Sequence, residues 1–130
     1  MRYGRQIAVV VPAYNEERFI VRTLRTVPRF VDHIVVIDDA STDRTAERAA
    51  RVRDLRVSMI QSASNRGVGA AITCGYARAL DLGADWIVVM AADGQMDPGD
   101  LRALLRPLAQ GDADYVKGNR LGHPSVRKSM

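Results

Sequence analysis

The chain has 130 residues, 47% hydrophobic and 26% charged, with 19 Lys+Arg against 15 Asp+Glu for a formal net charge of +4. That fits one soluble globular domain, long enough to bury about two-thirds of its unfolded surface. One cysteine excludes a disulfide framework or multi-cysteine zinc site, two histidines leave little for a metal site, and 5% aromatics argue against a base-stacking nucleic-acid platform.

The first apolar run, Ile7–Val11, contains three consecutive valines and is short and β-branched, as a strand would be. Pro12 ends it, and Pro12-Ala13-Tyr14-Asn15-Glu16-Glu17 follows. Tyr14 can stack on a flat ring. Asn15 or Glu16 can cap the next helix, whose apolar residues Ile20, Leu24 and Val27 recur at helical spacing. An ordinary structural role accounts for Asn15 and Glu17, less readily for Tyr14 and Glu16.

Ile34–Ile37 predicts a second strand, followed by Asp38-Asp39-Ala40-Ser41-Thr42-Asp43. Three carboxylates in six residues repel one another unless donors or a cation intervene. Asp43 or Thr42 can cap a short helix carrying Ala46, Ala49 and Ala50 on one face. Asp38 or Asp39 needs another partner, for which a ribose hydroxyl or base N–H would serve.

The third strand is Val57–Ile60. Ser64-Asn65-Arg66-Gly67-Val68-Gly69-Ala70-Ala71 then leads into a helix, where its backbone N–H groups and Arg66 can meet phosphate. A tight turn explains the glycines equally well. Ile72 stands where the third glycine of a dinucleotide fingerprint belongs, so that signature fails. Ile72, Tyr76, Ala79 and Leu80 predict the buried stripe of this helix, with Gly83 just beyond its end.

Trp86–Met90 predicts the fourth strand. After it comes Ala91-Ala92-Asp93-Gly94-Gln95-Met96-Asp97-Pro98. Asp93 can hold a divalent cation against a diphosphate, and Gly94 permits close approach by a ligand. A fourth helix is expected on Leu101, Leu104, Leu105 and Leu108, with Asp97 and Pro98 at its start. Tyr115–Val116 makes a weak fifth strand, ending in Lys117-Gly118-Asn119-Arg120, whose cations suit phosphate. Residues 121–130 have little apolar content and read as a solvated, poorly ordered tail.

The alternation predicts an α/β fold with a doubly wound, mainly parallel sheet and helices on both faces. Its continuous apolar strands are those of a sheet covered on both sides. Ligands bind such sheets outside the strands' carboxyl ends. Four successive strand ends here carry an aromatic, acids and cations. That mix suits a nucleoside diphosphate better than a protein interface.

These loops resemble family 2 glycosyltransferases of the GT-A fold, in particular the polyprenyl- or dolichol-phosphate sugar synthases. The matching blocks are Val9 through Glu17, Val36 through Asp43, Asn65-Arg66-Gly67 with Gly69 and Ala70, Val89 through Pro98, and Lys117 through Arg120. They run in order over nearly the whole chain, and the first, second and fourth are the specific ones. The resemblance implies that Pro12, Ala13, Tyr14 and Glu16 line the nucleotide pocket and that Asp38 or Asp39 holds the base or ribose. It places Arg66, Ala92, Gln95, Lys117 and Arg120 around the sugar diphosphate. Asp93 becomes the last acid of a D-x-D element holding Mg²⁺ or Mn²⁺. The family reaction is an inverting transfer, in which an acceptor oxygen attacks C1 as the nucleoside diphosphate leaves.

Two departures qualify this. Ala91 replaces the first acid of D-x-D, and the chain stops where the family's acceptor half and general base would follow. The expectation is a truncated donor-binding domain over 1–130 that uses a UDP-, GDP- or dTDP-linked sugar, with a polyprenyl phosphate as acceptor. A half-domain leaves apolar surface uncovered, so self-association is also expected. The N-terminal apolar run is too short for a signal peptide, and no segment spans a bilayer, which predicts a cytoplasmic chain, at most at the inner membrane face. A receiver domain is disfavoured because the acid pair follows strand two and strand three ends in Gln61-Ser62. A pyrophosphorylase would need a glycine-rich basic loop after strand one. A non-catalytic nucleotide-binding or oligomerising module is the remaining alternative.

Overall fold

The computed structural model describes residues 4–94, Leu101, and the backbone of 115–117 and 125–128. The elements are β1 (Ile7–Ala13), α1 (Ile20–Arg25), β2 (His33–Asp38), α2 (Thr45–Ala50), β3 (Val57–Gln61), α3 (Val68–Asp81), β4 (Trp86–Val89), β5 (Tyr115–Lys117) and β6 (Ser125–Lys128). They form one six-stranded sheet in the order β3-β2-β1-β4-β6-β5. The pairs β1–β2, β2–β3 and β1–β4 are parallel. The pairs β4–β6 and β5–β6 are antiparallel.

The unbroken apolar runs follow from double-sided burial. Along β1, Ile7, Val9, Val11 and Ala13 join a core with Ile20 and Leu24 of α1 and Ala49 of α2. Ala8 and Val10 point the other way, into a second core with Ala71 and Ala79 of α3. In β2, Ile34 and Val36 share the first core and Val35 and Ile37 the second. The period-two alternation of a strand thus serves two hydrophobic layers at once.

Three expectations need correction. The buried stripe of α3 is Ala71, Gly75 and Ala79, whereas Ile72 and Tyr76 are only partly buried and Leu80 is exposed. The reason is distance: a Cβ on Gly75 would meet Val10 Cγ1 at 2.2 Å, so only small residues fit where α3 crosses β1. On α2 the buried positions are Thr45 and Ala49, while Ala46 is intermediate and Ala50 exposed. The third correction concerns the C-terminal strands. The segment read as a solvated tail contributes β6, which pairs with β4 and separates it from β5. Pairing satisfies the backbone groups along β4's free edge, and that demand leaves little trace in side-chain composition.

The end of α3 follows expectation. Gly83 takes φ 87°, its N–H donates to the Leu80 carbonyl at 3.0 Å, and the Ala84 N–H donates to the Ala79 carbonyl at 3.1 Å. This is the Schellman arrangement, which needs a left-handed residue at that point. Of the fourth expected helix, Leu101 is described; it is helical and fully buried in the first core. Leu104, Leu105, Leu108, Asp97 and Pro98 lie outside the described residues. Among the described residues, no helix is long and apolar enough to cross a membrane.

Candidate functional site

The chain steps from β1 outward to β2 and β3, then returns to the other side of β1 for β4. The reversal opens a crevice beyond the carboxyl ends of β1 and β4, where open α/β sheets take ligands. A cavity of about 240 Å³ lies there. Pro12, Ala13, Tyr14 and Glu16 line it from the β1 side, Asp39 from β2, and Ala91, Ala92 and Asp93 from β4. Val68 and Ala71 of the first turns of α3 close it. Tyr14 is 44% and Val68 66% exposed, so an aromatic and an aliphatic face are open to a planar ligand.

Hydrogen bonds to the next loop set the shape of the β1 loop. Asn15 adopts φ 52°, a left-handed conformation that Asn tolerates. Its N–H donates to Ser41 Oγ at 3.0 Å, and its Oδ1 accepts the Thr42 N–H at 2.8 Å. The Glu16 N–H donates to Thr45 Oγ1 at 2.8 Å, and Arg48 donates to the Glu17 carbonyl at 2.8 Å. The side chain of Asn15 therefore braces two loops, and no side chain caps α1. The Glu16 main-chain carbonyl accepts the Phe19 and Ile20 N–H groups at the start of that helix.

The three acids after β2 have separate environments. Asp43 Oδ1 accepts from the Thr45 N–H at 2.9 Å and from the Thr45 hydroxyl, and its Oδ2 accepts the Glu17 N–H at 3.3 Å. Burial opposes ionisation of Asp43, but these hydrogen bonds outweigh it and hold the carboxyl below its ordinary value. Asp43 thus organises the start of α2 from one residue before its N-cap, Arg44. Asp39 is buried, with its two oxygens accepting the Arg66 and Gly67 N–H groups at 2.9 Å each. Gly67 has φ 95°, so this carboxylate anchors a turn that favours glycine and fixes where α3 begins. Asp38 is also buried, and its Oδ1 has no hydrogen-bond partner among the described residues.

Across the cavity, Glu16 is pushed above the usual carboxylate range, first by burial and then by the negative charges of Asp93 and Asp43. A cation, or a phosphate-bound metal, would relieve that repulsion. The donor set fits a hard ion that keeps most of its ligands from water and a diphosphate. Among the described residues, no group of three or more His, Cys, Asp or Glu could hold a metal unaided.

Of the expected site residues, Pro12, Ala13, Tyr14, Glu16, Asp39, Ala92 and Asp93 therefore share one cavity. Asp38 and Arg66 do not line it; Arg66 is exposed and contributes its backbone N–H to the Asp39 anchor. Gly94 takes φ 73°, and a Cβ at that position would lie 3.3 Å from Phe19 Cδ1. Gln95 and Arg120 lie outside the described residues, and Lys117 is described only as backbone in β5. Sequence reasoning named Ala91 only as the replaced acid of D-x-D and missed Val68 and Ala71 as wall residues. The signal for those two was positional: the first turn of a helix leaving a parallel strand sits at that strand's carboxyl end.

The family model described as Glycosyl transferase family 2 matches residues 8–130. The chain is 31% identical over 139 residues to a UDP-N-acetylglucosamine--dolichyl-phosphate N-acetylglucosaminyltransferase of Methanococcus voltae, covering 95% of this chain and 55% of that protein. It is 33% identical over 127 residues to the polyprenol monophosphomannose synthase of Mycolicibacterium smegmatis, covering 92% and 47%. In structure it is similar to glucosyl-3-phosphoglycerate synthase of Mycobacterium tuberculosis, solved with Mn²⁺, UDP and glucosyl-3-phosphoglycerate. That match has a TM-score of 0.69 at 26% identity and covers 88% of this chain and 43% of that one. The chain spans about half the length of the curated relatives it matches.

Proposed function

The chain belongs to glycosyl transferase family 2, and from that premise we propose that its strand-end cavity binds the nucleoside diphosphate of a nucleotide-sugar donor for glycosyl transfer. The carrying observation is that Tyr14, Glu16, Asp39 and Asp93, from three strand ends, meet in one cavity at the topological switch point. Tyr14 offers its exposed ring to the base, with Val68 opposite. Asp39 brings a carboxylate to the ribose side, though both its oxygens already hold the turn before α3. Asp93, with Glu16 facing it, would hold Mg²⁺ or Mn²⁺ at the diphosphate, and Ala91 leaves that site one acid short. A bound divalent ion supplies positive charge for the departing nucleoside diphosphate. The residues' own task is to hold the diphosphate against β4 and to keep the sugar's C1 facing the open side of the cavity. Gln95, Lys117 and Arg120 are assigned to the sugar and phosphates, and Arg66 to the phosphates from the α3 side. Asp38 is assigned a donor from the base or ribose for its buried oxygen.

The named relatives act with dolichyl phosphate or polyprenol, and we extend a polyprenyl-phosphate acceptor to this chain, which would place it at the inner membrane face. Donor binding is assigned to these residues; the acceptor side and general base are not. Self-association through the uncovered side is part of the reading, tested by light scattering: a clean monomer at high concentration overturns it. Calorimetry with UDP, GDP and dTDP, with and without Mn²⁺, tests the donor site. Binding of one of them, tightened by Mn²⁺, is the expected result. No binding at millimolar concentration overturns the reading, and binding without sugar transfer or hydrolysis favours a donor-binding part that does not turn over alone.

A further inference from the structure

At the end of the sheet opposite the donor cavity lies a second cavity, of about 410 Å³. Its walls are Leu24 and Arg25 at the end of α1, and Arg51, Val52, Arg53 and Asp54 between α2 and β3. Both segments lead into the first residues of parallel strands, so the groove sits at the strands' amino ends.

Its charge is unbalanced. Arg25, Arg51 and Arg53 are exposed and line the groove together. The single acid of the lining, Asp54, is already taken: Arg56 donates to it through Nε at 3.0 Å and Nη2 at 2.8 Å. Arg51 pairs with Glu47 at 2.8 Å, but both side chains are largely exposed at 76% and 51%. Such an exposed pair contributes little, so the guanidinium can turn inward readily. Among the described residues, neither Arg25 nor Arg53 has an ion-pair partner. Guanidinium groups present planar forks that match phosphate oxygens. Cations do stabilise the carboxyl ends of helices, but α1 and α2 have six residues each, and that effect does not require two helices to face their arginines into one cavity.

We propose that this groove is a second anion site, separate from the donor cavity, which takes a phosphate group between Arg25, Arg51 and Arg53. The phosphate can belong to a soluble compound or to a lipid headgroup. Leu55, wholly exposed two residues beyond Arg53, separates these sources, because an apolar tip contributes at a bilayer and not to a free anion.

The test is a titration of the 130-residue chain with pyrophosphate, followed by amide chemical shifts, beside co-sedimentation with vesicles of 70% phosphatidylcholine and 30% phosphatidylglycerol. The expected result is saturable shifts at residues 24–25 and 51–54, weakened at least tenfold in R51E/R53E and by added salt. Shifts at 13–16 and 91–93 report the donor cavity separately, so either reading can fail alone. Pyrophosphate binding that survives Leu55→Asp assigns a soluble phosphate. Vesicle binding lost in both R51E/R53E and Leu55→Asp assigns a headgroup. If neither pyrophosphate nor vesicles engage these residues, or the arginine variant binds like the parent, the proposal is wrong. Circular dichroism of the variant confirms that any loss comes from a folded protein.

Discussion

Gly75→Ala is the sharpest probe of how the strand-end cavity is held in place. A methyl at this position would lie 2.2 Å from Val10 Cγ1, 3.1 Å from Cγ2 and 3.2 Å from Cβ. Rotating Val10 moves only the methyls. Cγ1 must recede by roughly 1 Å, by lifting α3 or by turning Val10 off its rotamer, whereas the Val10 Cβ asks for only a few tenths of an ångström. Overpacking of this kind costs about 1–3 kcal/mol, and replacing a helical glycine by alanine returns about 0.5–1 kcal/mol. The net loss is then about 1–2 kcal/mol, or roughly 4–8 °C in Tm for a chain of this size. Val10→Ala alone removes buried methyls and costs about 2 kcal/mol. If the clash is the cause, the double variant is no less stable than Val10→Ala alone, a favourable coupling of about 1–2 kcal/mol. Urea denaturation of the four proteins measures this. Additive losses, or a Gly75→Ala protein as stable as the parent, would refute the argument. Because α3 supplies Val68 and Ala71 to the cavity, Gly75→Ala should also weaken nucleotide binding, and the double variant should recover it.

Asp39→Ala should cost about 3 kcal/mol, since two main-chain N–H groups lose a charged acceptor; faster hydrogen exchange at Arg66 and Gly67 would show that the turn before α3 has loosened. Arg56 donates to the Pro28 carbonyl at 2.7 Å and the Val31 carbonyl at 3.1 Å besides Asp54, so Arg56→Lys should lose about 1–3 kcal/mol by thermal melting. The Arg56 hydrogen bond, acting against some burial, holds Asp54 below its ordinary value. That stabilisation is complete above about pH 4 and lost as pH falls through the depressed value, so Arg56→Ala should flatten this acid limb. Glu16 is raised instead: its ionisation costs stability as pH rises from about 4. Glu16→Gln should therefore melt higher than the parent at pH 7 and equally at pH 3.5, and a lower Tm at pH 7 would contradict the repulsion. Asp93→Asn should abolish the Mn²⁺-dependent part of UDP binding while leaving metal-free binding nearly unchanged by calorimetry.

The strands were legible because burial on both faces writes itself into sequence as runs such as Ile7–Val11 and Ile34–Ile37. The position of α3 was harder to read, since helical periodicity marks large apolar residues. Here the contact is made by Ala71, Gly75 and Ala79, with the larger Ile72 and Tyr76 to the side. β6 left almost no signal, because a four-residue strand can be recruited by its backbone alone. The site was legible as a set of loops and less so as individual roles. Asp38 and Asp39 are adjacent and both acidic, and only the fold decides that Asp39 reaches across to Arg66 and Gly67. Asn15 likewise read as a cap, but the tether it forms joins segments 27 residues apart.

The reversal of strand order at β1 also sets a timetable for assembly. One wall of the cavity needs only β1, β2 and the hydrogen bonds between their loops, spanning partners 26–29 residues apart. The other wall cannot form until β4 returns to β1, pairing Ile7 with Trp86 across most of the described chain. Closing that loop carries the larger entropic cost. As the chain emerges during synthesis, the ring-facing half with Tyr14 is in position first, and the acid at Asp93 arrives last. On the proposed function, nucleotide binding would therefore report on completed topology, since Asp93 reaches the cavity only once β4 has paired with β1.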